Sequence, residues 1–88
     1  MIYVLTKSVE NSMGKYFIYA WDHKPNIEEM MIKIEEEAWS WENEDYPSYK
    51  KGTFFQDWNI DKWKEGLLQV LHGEEFDYYG NIYKLKQL

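Results

Sequence analysis

An apolar stripe at helical spacing runs from residue 27 to residue 41 and dictates what the rest of the chain must provide. Each member has another three or four residues away: Ile27, Met30, Met31, Ile34, Ala38 and Trp41. At about 100° per residue, this spacing places them on one face of an α-helix. Asn26 followed by Glu29 resembles a capping box and predicts that the helix begins there. The remaining chain must therefore cover one side of this helix.

A second helix is predicted in the C-terminal half of the chain. Asn59 is a suitable N-cap residue, and His72 followed by Gly73 is a common helix end. The residues between them repeat at helical spacing and should form a second buried face: Ile60, Trp63, Leu67, Leu68, Val70 and Leu71.

Two strands are predicted before the first helix, over residues 2–9 and 15–21, because both segments are rich in β-branched and aromatic residues. In the second strand, strict alternation would place Phe17, Tyr19 and Trp21 on one side. The opposite side, with Tyr16, Ile18 and Ala20, is also apolar. Such a strand should be central in its sheet, or one of its faces should be a contact surface.

The C-terminal segment predicts a β-hairpin, because Tyr79-Gly80-Asn81-Ile82 has the glycine-first pattern of a type II′ turn. This turn sets a register with apolar pairs on one face and opposite charges on the other. The expected pairs are Tyr78 with Tyr83, Asp77 with Lys84, Phe76 with Leu85, and Glu75 with Lys86.

These elements predict a single α+β domain over residues 1–88. In the order ββααββ, an antiparallel sheet of two hairpins with both helices on one face is the simplest way to bury both apolar stripes. The chain has 88 residues and no cysteine, which excludes disulfides and thiolate metal sites and leaves room for one core. No secretion signal or membrane span is evident, so we expect a soluble cytoplasmic protein.

Charge is distributed unevenly along the chain. Residues 28–45 hold eight acidic residues against Lys33 alone, a local charge of −7, whereas the whole chain carries −6. All ten cationic residues are lysines. Because nucleic-acid binding normally requires a basic face and favours arginine, we expect no direct binding of DNA or RNA.

No catalytic residue is predicted. His23 and His72 are the only side chains that ordinarily titrate near neutrality. Asp22 adjoins His23, but neighbours in a strand point to opposite faces, so no dyad is expected. His72 is better explained as a helix C-cap residue that interacts with the helix dipole. No serine lies in a recognisable nucleophile turn, and we therefore expect a protein that is not an enzyme.

Metal and cofactor sites are not predicted either. The segment that begins at Asp57 resembles a calcium-binding loop, but Lys62 and Leu68 stand where that loop needs glycine and glutamate. Two distant histidines and no cysteine provide no zinc site.

The acidic segment is the candidate binding site, because carboxylates along a rigid helix can imitate backbone phosphates and aromatic rings can occupy the space of bases. The expected partner is a protein with a basic nucleic-acid-binding surface, and no membrane is involved. The candidate partner-binding residues lie on the first helix and in the loop after it: Glu28, Ile32, Glu35, Glu36, Trp39, Glu42, Glu44, Asp45, Tyr46 and Tyr49.

Ile32 and Trp39 form a second apolar pair away from the buried stripe. They could contact such a partner, or they could form the seam of a homodimer, as could the apolar outer face of residues 16–21. In the second case the protein would be a small self-associating structural or regulatory module. The acidic residues would then be a solvated face that provides only solubility.

The acidic runs Glu35-Glu36-Glu37 and Glu42-Asn43-Glu44-Asp45, combined with the compact ββααββ plan, resemble small acidic proteins encoded by phages and mobile elements. This class includes the anti-CRISPR and anti-restriction inhibitors. The resemblance covers the whole chain in style and involves no specific motif, so it carries no functional residue over. It implies an inhibitor of a host defence nuclease or of its nucleic-acid-binding complex.

Overall fold

The computed structural model describes residues 1–9, 15–45, 55, 57 and 59–88, without the side chains of residues 38–45. Four strands form an antiparallel sheet and two helices pack on it, which confirms the α+β class. In chain order, the elements are β1 (Tyr3–Val9), β2 (Lys15–Trp21), α1 (Ile27–Asp45), α2 (Ile60–Leu71), β3 (Phe76–Tyr78) and β4 (Asn81–Gln87).

The strands lie in the order β2-β1-β4-β3, so the first and last long strands pair at the centre of the sheet. The expectation that β2 is central is wrong, since it forms an edge. A bulge in β2 shifts the register between Leu5, which faces Tyr19, and Thr6, which faces Phe17. Ile18 is the extra residue, and it packs against the core.

This bulge also corrects the predicted alternation of β2. Tyr19 and Trp21 share the face of Leu5, which is the helix-covered side of the sheet. Phe17 was expected beside them but lies opposite Thr6 on the uncovered side. A bulge adds one residue to one strand and so reverses the side-chain alternation beyond it.

The core lies between the helices and one face of the sheet. Trp63 is fully buried, and its ring contacts those of Phe55, Phe76, Tyr78 and Tyr83 at centroid distances of 4.5–5.4 Å. Aromatic pairs at such distances contribute beyond the area that they bury. The other fully buried side chains are Leu5, Met30, Ile34, Leu67 and Val70.

The start of α1 is as predicted. The Glu29 backbone N–H donates to Asn26 Oδ1 at 2.8 Å, and the Asn26 backbone N–H donates to Glu29 Oε1 at 3.1 Å. This reciprocal pair is a capping box with asparagine at the N-cap. It orients the first turn of α1, from which Glu28 projects, and Ile32 lies one turn further along the helix.

Helix α2 begins after Asn59 and ends at His72, as expected. Its buried face is narrower than predicted, because Leu68 is 47% exposed. Gly66 is buried instead, and a Cβ atom there would lie 2.3 Å from the Phe76 ring. The ring of Phe76 therefore occupies the space of a side chain on α2.

The C-terminal hairpin forms, but the predicted register is wrong. Phe76 faces Tyr83, Asp77 faces Ile82 and Tyr78 faces Asn81. The turn residues are Tyr79 and Gly80, with φ of 51° and 87°, as a type I′ turn requires. The observed register is shifted by two residues from the predicted one. The apolar residues therefore stay on one face, but the predicted pairs of opposite charge do not form. Asp77 Oδ1 accepts a hydrogen bond from the Gly80 N–H at 2.9 Å, which stabilises this turn.

Candidate functional site

A groove of about 410 Å³ lies between α1 and α2, on the side of the helix layer away from β2. Three of the predicted partner-binding residues line it from α1: Glu28, Ile32 and Glu35. The remaining lining residues are Met31, Phe55, Ile60 and Lys64. The groove therefore has an apolar floor and two carboxylates along one rim.

Ile32 is the exposed apolar residue of this rim, with 56% of its surface accessible. It lies one helical turn after Glu28 and nearly one turn before Glu35, so all three point to the same side of α1. Met31, one residue earlier, is buried in the core. The structure thus confirms that Ile32 lies outside the core.

Ion pairing divides the acidic residues of α1 into two groups. Within the described ranges, Glu28 and Glu35 take part in no ion pair. No cation of these ranges is paired with them beside Ile32. We call the set Glu28, Ile32 and Glu35 the α1 rim.

Glu36 forms an ion pair on the surface of α1. Its Oε2 lies 3.3 Å from Lys33 Nζ, and the same ammonium lies 4.2 Å from the centre of the Tyr19 ring. Glu36 is exposed, and a pair of this kind at the surface is weak. It could still contact a partner, but not as an unpaired carboxylate.

Glu37 has a structural role that the sequence did not reveal. Lys7 Nζ on β1 donates to both of its carboxylate oxygens, at 3.0 and 3.1 Å. The two side chains are only 16% and 15% exposed. The ion pair therefore joins α1 to the sheet, and Glu37 is not available to a partner.

A histidine cluster lies at the N-terminal end of α1. His23 Nδ1 is 2.9 Å from Asp22 Oδ1, and His23 Nε2 is 2.8 Å from Glu29 Oε2. The expectation that Asp22 and His23 form no pair is wrong, because both residues follow the end of β2 and do not alternate as in a strand.

Both carboxylates hold the His23 pKa above its ordinary value, chiefly because the protonated ring donates hydrogen bonds to Asp22 and then to Glu29. The hydrogen bond with His23 in turn lowers the pKa of Asp22 and of Glu29. Since Glu29 also caps α1, this cluster links the chain before α1 to its first turn.

For the other predicted site residues, the structure does not describe the side chains. Trp39, Glu42, Glu44 and Asp45 belong to α1, but their side chains are outside the described part of the chain. Tyr46 and Tyr49 lie wholly outside the described residues. Their roles stay predictions.

The groove is also lined by residues that the sequence did not predict as part of a site. Ile60 and Lys64 are one turn apart on α2, and Phe55 precedes that helix. The apolar spacing of both helices was visible in the sequence, but the side of α1 that α2 would occupy was not. That choice depends on how the two helices pack together.

No group of three or more His, Asp or Glu side chains within the described residues is arranged to hold a metal ion. In the same residues, neither helix has the length and apolarity needed to cross a membrane.

Comparisons with protein-family models, curated proteins and solved structures find no match to this chain.

Proposed function

We propose that this protein is a non-enzymatic inhibitor that binds a nucleic-acid-processing protein through α1. The α1 rim and the acidic residues after it would occupy a basic surface that otherwise binds DNA or RNA. A host defence nuclease or its nucleic-acid-binding complex is the partner that the resemblance to phage and mobile-element inhibitors suggests. The place of action would then be the cytoplasm of the host cell.

One observation carries the proposal: Ile32 is exposed between two carboxylates that form no ion pair within the described residues. A face that provides only solubility has no need of a large exposed apolar residue at its centre. A binding face does, because apolar anchors supply most of the affinity and charges around them steer association.

Two energetic roles follow from this arrangement. Glu28 and Glu35 would attract a lysine- or arginine-lined surface and make the association rate dependent on salt. Ile32 would enter an apolar depression of the partner. Truncation of such an anchor typically costs about 2 kcal/mol or more of binding free energy.

The adjacent groove favours the same surface. It continues the exposed apolar area from Ile32 onto Met31, Phe55 and Ile60, between the two helices. A partner side chain could enter it while the carboxylates contact cationic residues at its edge. Lys64 on the opposite rim would help to orient a partner that carries both charges.

The test compares three forms of the protein as bait in a nuclease-treated lysate of the host cell. The first is the wild type, and the second is the double reversal Glu28→Lys/Glu35→Lys. The matched control is Glu74→Lys/Glu75→Lys, which makes the same charge change at exposed residues after α2. Bound proteins are identified by mass spectrometry and then purified for affinity measurements.

The proposal predicts a nucleic-acid-binding protein that the wild type and the control retain and that the α1 variant loses. Added DNA or RNA of the kind that this protein binds should release it from the wild type. If the partner is retained by the α1 variant, or if nucleic acid does not compete, α1 is not a nucleic-acid mimic.

The alternative is a self-associating module. The exposure of Ile32 and Phe17 favours some contact surface, and a second copy could cover either residue. A two-fold contact through the α1 rim would, however, place Glu28 and Glu35 against their own copies. Like charges at a dimer seam oppose association, so this arrangement is disfavoured.

A further inference from the structure

The face of the sheet opposite the helices carries three lysines. The register places Lys15 beside Ser8 on β1, and Lys84 of β4 beside Thr6. Lys86 lies one pleat further along β4, beside Val4. Paired residues of neighbouring strands share a face, so all three ammonium groups project from the side that no helix covers.

Large apolar side chains lie among these lysines. Phe17, beside Thr6, is 65% exposed, Leu88 is 68% exposed and Ile2 is 41% exposed. A depression of about 550 Å³ lies over this part of the sheet and includes Val4, Thr6 and the three lysines in its lining. An exposed apolar surface of this kind commonly marks a contact site. We call it the open sheet face, defined by Val4, Thr6, Lys15, Phe17, Lys84 and Lys86.

The open sheet face has no internal partner for its charge. Within the described part of the molecule, Lys15, Lys84 and Lys86 take part in no ion pair. The α1 rim is on the other side of the sheet. Within the described residues, its two carboxylates also take part in no ion pair. Of the side chains that the structure describes, the open sheet face carries these three lysines against Asp77, which the register places on the same face opposite Ile82, and the α1 rim carries two carboxylates.

A two-fold dimer through the open sheet face would bring lysines against lysines, just as one through α1 would bring glutamates together. A contact between the two different faces sets the lysines of one copy against the glutamates of the other. Because the apolar residues Phe17 and Ile32 belong to those same faces, this contact would also remove both from water.

The dimensions of the two faces agree. Seven residues of helix separate Glu28 from Glu35, which corresponds to about 10 Å along α1. Two strand spacings separate β2 from β4, and Lys15 and Lys84 are offset by two residues along the strands, so they are about 12 Å apart. One helix of a neighbouring molecule can thus lie across the open sheet face with a carboxylate near each group of lysines.

We propose that the open sheet face binds the α1 rim of a second copy of this chain, in a head-to-tail arrangement. Each copy keeps one unused face of each kind, so the assembly is open-ended. The two faces comprise six and three residues, fewer than the roughly 20–30 residues per partner of a stable interface, so the association is weak. It would also hide the surface that we propose for partner binding, and self-association and partner binding would compete.

The test needs only purified protein and is therefore independent of the proposed partner. Sedimentation equilibrium is measured over a range of protein concentrations at about 0.01 M and about 1 M salt. For the wild type, the average mass should rise with concentration at low salt above the 10.8 kDa of one chain. At high salt it should return to that value.

Two charge-reversal variants identify the faces. The sheet variant is Lys84→Glu/Lys86→Glu, and the α1 variant is Glu28→Lys/Glu35→Lys. Each alone should stay at 10.8 kDa, because its altered face repels the unaltered one. An equal mixture should associate again, because the unaltered α1 rim of the sheet variant matches the unaltered sheet face of the α1 variant, and the two reversed faces also carry opposite charges. Lys24→Glu/Lys62→Glu, with the same charge change at exposed residues elsewhere, should assemble like the wild type.

A wild type that remains monomeric at low salt would overturn the proposal, as would a mixture of the two variants that does not associate. Binding of a single-stranded oligonucleotide that the sheet variant loses, without self-association of the wild type, would assign the face to nucleic acid instead. Circular dichroism and urea unfolding of both variants establish that they are folded, so loss of assembly reflects the altered face.

Discussion

Lys7 Nζ on the central strand β1 donates to both carboxylate oxygens of Glu37 on α1, at 3.0 and 3.1 Å. This contact joins elements thirty residues apart, and it removes one acidic residue from the charged surface of α1. A reversal of the whole run 35–37 would therefore disturb the fold as well as the binding surface. Among the acidic side chains of α1 that the structure describes, Glu28 and Glu35 are those whose charge can be changed without loss of an internal ion pair.

The Lys7–Glu37 pair should stabilise the fold measurably. Glu37→Met leaves the ammonium of a half-buried lysine without its carboxylate, and we expect a loss of about 1–3 kcal/mol in unfolding free energy. Lys7→Met should cost a similar amount. Urea unfolding of both single variants and of the double variant measures the coupling. If the two single losses simply add in the double variant, the ion pair contributes nothing of its own.

Gly66→Ala should be destabilising although alanine is the better helix former. Alanine favours a helix interior by about 1 kcal/mol over glycine, but its Cβ would meet the Phe76 ring. We expect a net loss of about 1–3 kcal/mol from overpacking. Gln69→Ala, at an exposed position of the same helix, is the control and should be nearly neutral. A Gly66→Ala protein as stable as wild type would show that Phe76 does not occupy this space.

The hairpin register predicts that Asp77 acts through the turn and not through Lys84. Asp77→Ala removes the acceptor for the Gly80 N–H and should cost about 1 kcal/mol. Lys84→Ala should cost little, and the double variant should show no coupling, because Asp77 faces Ile82. A clear coupling between Asp77 and Lys84 in urea unfolding would support the type II′ register instead.

The His23 cluster predicts a pH-dependent contribution to stability. The His23 pKa is raised above 6.5, so its contribution is complete below pH 6.5 and is lost as pH rises through the higher folded-state pKa. The pKa values of Asp22 and Glu29 are lowered below 3.8 and 4.5, so their contribution is present above those values and is lost in stronger acid. The stabilisation is therefore greatest between about pH 4.5 and 6.5.

Wild type and His23→Gln should differ most in unfolding free energy within that window and converge at alkaline pH. Urea unfolding at several pH values, with an NMR titration of His23, tests this directly. His72→Gln is the control at an exposed histidine outside the cluster. A difference between wild type and His23→Gln that does not change with pH would exclude a charged His23 bridge.

Local signals in the sequence predicted the parts of the fold that depend on neighbouring residues. Asn26 and Glu29 form the capping box because both hydrogen bonds lie within one turn. The stripe containing Met30 and Ile34 predicted the buried side of α1, because helical spacing alone defines that side. The same spacing correctly placed Ile32 outside the core.

Features that depend on distant residues were missed. The bulge at Ile18 depends on the pairing of β2 with β1, and it moves Phe17 to the open sheet face. The hairpin register depends on packing against Trp63, which contacts both Phe76 and Tyr83 and keeps those two residues opposite one another. A glycine-first turn pattern in the sequence carries no information about that ring.

The candidate site was predicted only in part, because some of its features also depend on contacts between distant residues. The acidic character of α1 is visible in the sequence, but the pairing of Glu37 with Lys7 requires a contact across the fold. The groove beside Glu28 and Glu35 likewise depends on the packing of α2 against α1. Sequence alone therefore showed that α1 is acidic and did not separate its ion-paired carboxylates from its unpaired ones.

The affinity of a purified partner for variants of the α1 rim tests the proposed binding surface most directly. Ile32→Ala should weaken binding by about 2 kcal/mol, roughly thirtyfold, mostly through faster dissociation. Glu28→Lys/Glu35→Lys should slow association at low salt and reduce its salt dependence, whereas Glu74→Lys/Glu75→Lys should leave the dissociation constant within about twofold. Unchanged affinity in both rim variants would contradict the claim.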